Sequence, residues 1–329
     1  MRFWLSGTVW PNPGLLVSKQ RFTATLNYTH IESQDERHTI LQQPTDYSHK
    51  WLVLSTVAVG ILVATVSAGI VNVALPTLVA DLNSTFTLVQ WVVMGYVLTQ
   101  PTLMPIIGRL GDMMGRKPIF VSGFAVFALG SMLCGLAPTI YWLIGYRVIQ
   151  AIGGAMMLTL AFAIIVDAFP PDERGRAVGS VSIFSATGIV LGPIIGGLML
   201  ASLHWRWLFF VTIPFSVIGM LMAIRYVSDS KPVGGQQFDY VGAMTLFLSL
   251  LTLLLGLTSG PDWGYSDPRI LALFGISAIS FVAFVVVELR VEQPTIDLHL
   301  FRNQLFSVNL SSRLISFITM SGTILLLPF

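Results

Sequence analysis

Long apolar runs separated by short polar stretches make up the chain after Trp51. A run of about 20 mostly apolar residues without charge is long enough to cross a bilayer as a helix. Nine such runs predict nine transmembrane helices, at residues 52–75, 89–107, 119–136, 141–166, 177–203, 207–227, 241–258, 270–287 and from Gln304 to the end. The pattern therefore predicts an all-α integral membrane protein.

The two ends of the chain differ from its middle. Residues 1–50 are polar, contain three prolines and lack periodicity, which predicts a disordered or loosely attached tail. Residues 324–329 are still apolar, and no charge or loop follows them. The last run therefore stops about where a helix would leave the membrane, and we expect the chain to be truncated at this end.

The basic residues between the runs fall mainly on one side. With the amino terminus inside, the inner loops and helix ends hold Arg109, Arg116, Lys117, Arg174, Arg176, Arg225, Lys231, Arg290 and Arg302, whereas the outer loops hold Arg206 and Arg269. Cytoplasmic loops carry the excess of Lys and Arg. This distribution predicts a multi-pass protein of the cell membrane, in contact with the lipid bilayer, with a cytoplasmic amino terminus.

Composition narrows the function classes. Hydrophobic residues make up 54% of the chain and charged residues 10%, against about 25% charged in soluble domains. The net charge of +2 gives no indication of a nucleic-acid partner, and the single Cys134 excludes an intrachain disulfide. The five histidines lack metal-ligand spacing, so we expect no metal and no cofactor. An intramembrane enzyme would need a nucleophile, metal or carboxylate pair at membrane depth, and the runs show none.

The segment between the second and third runs reads GRLGDMMGRKP, residues 108–118. We interpret it as a short inner loop. Gly108 and Gly111 would let a neighbouring helix approach the backbone closely. Asp112 is not needed for orientation, and it can pair with Arg116 or cap a helix amino terminus.

The fourth run contains an arginine inside an apolar sequence, YWLIGYRVIQAIGGAMM. An arginine at mid-membrane costs roughly 2.5–3.5 kcal/mol on insertion scales. Arg147, Gln150 and Gly154 recur at i, i+3 and i+7 and so share one helix face. That face is predicted to look into a bundle or cavity; the alternative is that Arg147 extends to the outer headgroups.

The fifth run contains GIVLGPIIGG. Gly188, Gly192 and Gly196 form two overlapping GxxxG steps, which predict a flat face for tight helix contact. Pro193 removes a backbone donor beside that face and is predicted to bend the helix.

These three motifs, in this order on these runs, resemble those of the major facilitator superfamily. The sequences IVNVALP at 70–76 and WVVMGYVL at 91–98, together with the extra helix pair between 241 and 287, resemble the fourteen-helix drug:proton antiporter branch. The resemblance implies a six-helix lobe at 51–228, a linker with two extra transmembrane helices at 229–303, and the first helix of an incomplete second lobe at 304–329.

The resemblance also implies a function and roles for residues. It implies export of drugs or other small organic solutes by alternating access, coupled to protons, with the 329 residues alone inactive. Gly108, Asp112 and Arg116 resemble a conformational latch, and Arg147 resembles an arginine linked to proton transfer. The antiporter helix would be shaped by Gly188, Gly192, Pro193, Gly196 and Gly197. The candidates for the substrate and proton pathway are Asn72, Tyr96, Gln100, Arg147 and Gln150.

Three positions depart from the resemblance. Ala151 stands where the fourth-helix motif of the family has a glycine, and Gly69 stands where the branch usually has a threonine. Ser67 stands where the branch has an acidic residue, five positions before Asn72. No carboxylate lies inside the first eight runs, so a proton carrier is expected outside them. Two other functions stay open: an uptake carrier for sugars or organic acids, and a degenerate product without transport activity.

Overall fold

The computed structural model describes residues 48–229, 238–291, 300 and 302–326. The tail predicted at 1–50 lies outside these residues except for its last three. Parts of the predicted linker, at 230–237 and 292–299, also lie outside them. The residues from His49 onward form one unit of contacts.

Every regular element in the described residues is a helix. In chain order these are α1 Lys50–Asp81, α2 Phe86–Met114, α3 Arg116–Gly135, α4 Ile140–Ala168, α5 Pro171–Leu200, α6 Trp207–Tyr226, α7 Tyr240–Trp263, α8 Pro268–Glu288 and α9 Gln304–Leu326. Two segments make up α6, Trp207–Phe210 and Thr212–Tyr226, and they meet at Val211. Among the described residues, α1 to α8 are long and apolar enough to cross a membrane. The predicted all-α integral membrane fold is confirmed.

Several helix ends differ from the prediction. The first helix continues through Pro76 to Asp81, beyond the predicted end at residue 75. Membrane helices tolerate a proline where neighbouring groups satisfy the freed backbone. The fifth helix begins at Pro171 rather than at residue 177, and Asp172 and Glu173 lie in its first turn. Proline at the first position and acidic residues beside the positive end of the dipole both favour a helix start there.

The segment interpreted as a loop at 108–118 is almost wholly helical, so that interpretation was wrong. Residues 108–114 are the end of α2, Arg116 begins α3, and Gly115 alone separates the two helices. The φ angle of Gly115 is 94°, a conformation that a residue without Cβ adopts readily. Glycine and aspartate are typical of turns, but here only one glycine makes the turn.

The first helix lies at the centre of the bundle, and it packs against α2, α4, α5 and α6. The fourth helix packs on α3 and α2, while α7 and α8 pack on each other and α7 contacts α2. The buried apolar residues form two clusters. The first includes Val57 and Phe124, on the side of the bundle where α1 begins, and the second includes Leu78 and Leu143, on the side where α1 ends.

Candidate functional site

A layer of buried polar side chains separates the two apolar clusters. It consists of Ser67 on α1, Ser131 on α3, Arg147 and Gln150 on α4, and Thr212 on α6, and we call it the polar layer. On each of these helices, the first cluster lies on one side of the layer and the second cluster on the other. Polar groups buried between two apolar clusters of a membrane protein must find their hydrogen-bond partners inside the protein, because the hydrocarbon of the bilayer offers none.

The guanidinium of Arg147 is completely buried, and neutral oxygens hold it. Its Nε donates to the carbonyl oxygen of Val92 at 3.0 Å, and its Nη1 donates to Oε1 of Gln150 at 2.6 Å. Ser67 accepts twice, at Oγ from Nη1 (3.1 Å) and at its carbonyl oxygen from Nη2 (3.3 Å). The guanidinium carbon also lies 4.1 Å from the ring centre of Tyr96, within cation–π range. This geometry rules out the alternative in which Arg147 extends to the headgroups.

Gln150 connects Arg147 to α3 and α6. Its Nε2 donates to Oγ of Ser131 at 2.7 Å, and the hydroxyl oxygens of Ser131 and Thr212 lie 2.9 Å apart. Thr212 also donates to the carbonyl oxygen of Phe209 at 2.8 Å. One connected set of hydrogen bonds therefore joins α1, α2, α3, α4 and α6.

The chemistry of the polar layer is that of a fixed cation among neutral hydrogen-bonding groups. It contains no carboxylate, thiolate or imidazole. Within the part of the chain that the structure describes, no three His, Cys, Asp or Glu side chains come together to hold a metal ion. The chemistry of the layer is therefore limited to charge and hydrogen bonding.

Two of the other candidate pathway residues lie beside the layer. Tyr96 is fully buried, and its hydroxyl donates to the carbonyl oxygen of Ala64 at 2.8 Å. A Cβ on Gly154 would lie 2.6 Å from Nε2 of Gln100 and 3.0 Å from the Tyr96 hydroxyl oxygen. The absence of a side chain at Gly154 thus makes room for both. Asn72, in contrast, is exposed on α1 and does not join them.

The residues predicted as a latch surround the turn between α2 and α3. Nη2 of Arg116 donates to Asp112 at 3.2 Å, so the predicted pairing is present. Nη1 of the same arginine forms an ion pair with Asp167 and contacts the carbonyl oxygen of Ala163, both on α4. Asp167 was not among the predicted site residues, although the sequence shows this carboxylate directly after the fourth apolar run.

The close approach predicted at both glycines of this motif occurs at one of them. A Cβ on Gly111 would lie 2.5 Å from a methyl carbon of Leu160, which is far inside normal contact distance. A Cβ on Gly108 would lie 3.7 Å from Thr159, which is an ordinary contact. The expectation for Gly108 was therefore wrong, since the facing side chain is farther away.

The glycine face of α5 packs directly on α1. A Cβ on Gly192 would lie 2.9 Å from the carbonyl oxygen of Val66, and one on Gly196 would lie 2.8 Å from that of Ile70. Gly188 faces Thr65 even more closely. A Cβ on Gly197 would meet nothing within 4 Å, so Gly197 is not part of this contact.

Pro193 lies on the same contact. A Cβ on Gly69 would lie 3.1 Å from Cδ of Pro193 and 3.3 Å from the carbonyl oxygen of Ile189. Glycine at position 69 therefore fits this proline, and a threonine there would need α1 or α5 to move.

Comparisons with known proteins agree on one family. A model described as Major Facilitator Superfamily matches residues 57–329. Multidrug resistance protein 3 of Bacillus subtilis (strain 168) is 38% identical over 261 residues, which are 79% of this chain and 51% of that protein. Multidrug transporter protein MdtP of the same organism is 32% identical over 86% of this chain and 52% of its own length. Riboflavin transporter RibZ of Clostridioides difficile (strain 630) is 33% identical over 85% of this chain and 60% of its own length.

The chain spans about half the length of the curated relatives it matches. Among solved structures, it is similar to the crystal structure of the human organic anion transporter MFSD10 (TETRAN), with a TM-score of 0.50 and 17% sequence identity. That match covers 70% of this chain and 60% of the other. At this identity the similarity concerns the fold alone.

Proposed function

The chain belongs to the major facilitator superfamily, and from that premise we propose that it acts in the export of drugs or other organic solutes by alternating access. Two relatives that it resembles over most of its length carry the names of a multidrug resistance protein and a multidrug transporter. The observation that carries the proposal is the buried polar layer. Ionisable groups inside the membrane are costly, and they mark substrate and ion pathways.

Transporters that work by alternating access bind their substrate near the middle of the membrane, between two lobes. In the proposed organisation, residues 51–228 form one lobe, 229–303 form a linker with α7 and α8, and 304–329 belong to a second lobe. Arg147, Gln150, Tyr96, Gln100 and Asn72 would contribute to the pathway from the first lobe. Because one lobe offers one wall of such a site, we expect the 329 residues alone not to transport.

The remaining parts of the proposal concern conformational change and placement. The ion pairs of Arg116 with Asp112 and Asp167 would hold one state of the transporter. The contact of α1 with Gly192 and Pro193 would keep the lobe rigid while the lobes move. The protein would lie in the cell membrane with its amino terminus in the cytoplasm, and the proton gradient would drive export.

The test is export of a fluorescent dye from cells that lack their own drug exporters. The chain is produced alone and together with a second lobe taken from Multidrug resistance protein 3 of Bacillus subtilis, with copurification as the check on assembly. We expect the assembled pair to lower the dye content of the cells and the chain alone not to do so. A protonophore should abolish that export.

Three results would contradict the proposal. Net dye uptake by the assembled pair would indicate an uptake carrier instead. Absence of any movement by a correctly inserted and assembled pair would indicate a product without transport activity. Export that survives the protonophore would remove the proton from the proposal and leave export standing.

A further inference from the structure

Arg147 is the one charged side chain that is buried in the described part of α1 to α6. The other charged residues of these helices lie at least partly exposed, most of them near the helix ends. Arg147 is seven residues inside the start of α4, or about 10 Å along the axis at 1.5 Å per residue. The lobe therefore carries one positive charge at membrane depth.

Nothing among the described residues neutralises this charge. The four hydrogen-bond acceptors around Arg147 are two backbone carbonyl oxygens, a hydroxyl and an amide oxygen. No described carboxylate comes within ion-pair distance of it. Neutral acceptors satisfy the donors but leave the net charge at +1.

Arg147 also keeps donor capacity. A guanidinium has five N–H groups, and four of them have acceptors among the described residues. The fifth lies on Nη2 and has none there. Arg147 is completely buried in this conformation, so a ligand oxygen reaches this donor only when the surrounding helices move. It would then meet both a donor and a positive charge, the combination that carboxylates and phosphates bind best.

The field of such a charge discriminates between ligands even without contact. At about 10 Å, with an effective dielectric constant of about 20, Coulomb's law changes the affinity of a unit charge by roughly 15-fold. The change favours an anion and disfavours a cation. Because the anion gains this factor and the cation loses it, the affinities of two otherwise similar ligands of opposite charge differ by roughly two orders of magnitude.

We propose that the substrate taken up by this lobe is an organic anion, whose carboxylate or sulfonate group supplies the negative charge that Arg147 lacks. The inference rests on the proposed function for the statement that the ligand is transported. A lipophilic cation, the opposite class of drug, would be repelled from the polar layer. A small inorganic anion such as chloride could supply the same charge, and the test separates it.

The experiment compares binding of two fluorescent probes, 5-carboxyfluorescein as the anion and ethidium as the cation, to the purified full chain by fluorescence anisotropy. Ser67→Asp introduces a carboxylate where the serine oxygen now lies 3.1 Å from Nη1, and Ser67→Asn is its neutral control of the same shape. Gln150→Glu also places a carboxylate against Arg147, where Oε1 of Gln150 now lies 2.6 Å from Nη1, and it serves if Ser67→Asp does not fold. Thermal unfolding of each variant reports on folding.

We expect the unmodified chain to bind carboxyfluorescein at least tenfold more tightly than ethidium. Ser67→Asp and Gln150→Glu should each reduce that preference by tenfold or more, and Ser67→Asn should retain it. Equal binding of the two probes, preference for ethidium, failure of the folded chain to bind carboxyfluorescein, or an unchanged preference in both acidic variants would overturn the inference.

Two further comparisons identify the source of the charge and separate the two proposals. Replacing chloride by sulfate, an inorganic anion without a carboxylate, at equal ionic strength should leave carboxyfluorescein binding unchanged, and displacement specific to chloride would overturn the organic assignment. Anion binding by the chain without export by the assembled pair would contradict the proposed transport function and leave the inference intact. Export of ethidium but not of carboxyfluorescein would contradict the inference and leave transport intact.

Discussion

Replacing Arg147 by lysine tests whether the shape of the guanidinium matters as well as its charge. The four hydrogen bonds of Arg147 leave from three nitrogens and reach acceptors on α1, α2 and α4. A lysine ammonium has three donors on one nitrogen, so it cannot replace all four. At least one buried oxygen loses its donor, and the contact with the Tyr96 ring is weakened.

The size of the effect follows from these losses. A buried acceptor without a donor costs about 1–3 kcal/mol, and the cation–π contact contributes about 0.5–2 kcal/mol. We therefore expect Arg147→Lys to lower the free energy of unfolding by roughly 2–5 kcal/mol. In the assembled transporter, export per molecule in the membrane should fall strongly, so export is normalised to the amount of protein present, which also falls when stability is lost.

The assay is denaturant unfolding of the purified chain in mixed micelles, with Arg225→Lys as the matched control. Arg225 is exposed in the last turn of α6, and a lysine there keeps the charge beside the negative end of the helix dipole. The control should stay within about 0.5 kcal/mol of the unmodified chain. If Arg147→Lys also stays within that range and exports normally, the four hydrogen bonds do not depend on the guanidinium and the reasoning fails.

Three further predictions concern other parts of the bundle. Gly192→Leu should abolish disulfide crosslinking between cysteine pairs introduced on α1 and α5, whereas Gly197→Leu should not, because only the first position faces α1 closely. If neither change affects crosslinking, the glycines of α5 do not face α1. Asp167→Asn should lower unfolding free energy by less than about 1 kcal/mol, because its ion pair is half exposed; a larger loss would show that solvent screens it poorly. In a Cys134→Ala background, a cysteine at position 83 in place of Asn83 should react with an impermeant reagent from outside the cell, and reaction only from inside would reverse the proposed topology.

The helices themselves could be predicted from sequence because a span of about 20 apolar residues has few other solutions in a protein of this composition. Their ends could not. The end of α1 beyond Pro76 and the continuation of α2 through residues 108–114 depend on packing, which overrides the local preference of proline and glycine.

The candidate site could be predicted in part. Arg147 was visible because a charge in an apolar run is rare, and Gln150 followed from the helical spacing. Ser131 and Thr212 were missed because single hydroxyls in a membrane helix usually bond to the backbone one turn earlier and carry little signal. Asn72 was proposed from its residue type and stays a prediction: α1 exposes it, outside the polar layer, and residue type alone does not determine which face of a helix is buried.

The polar layer also constrains how this sequence can change over time. Each side chain of the layer is hydrogen-bonded to the next, in the order Ser67, Arg147, Gln150, Ser131 and Thr212. An exchange at one position therefore leaves its neighbour with a donor or acceptor that has no partner. Effects of such exchanges are not additive, because each depends on the state of the next residue in the series. A lineage that abandons the arginine must pass through less stable intermediates or alter several helices together. An exchange of Arg147 should therefore come together with exchanges at the residues that accept its hydrogen bonds.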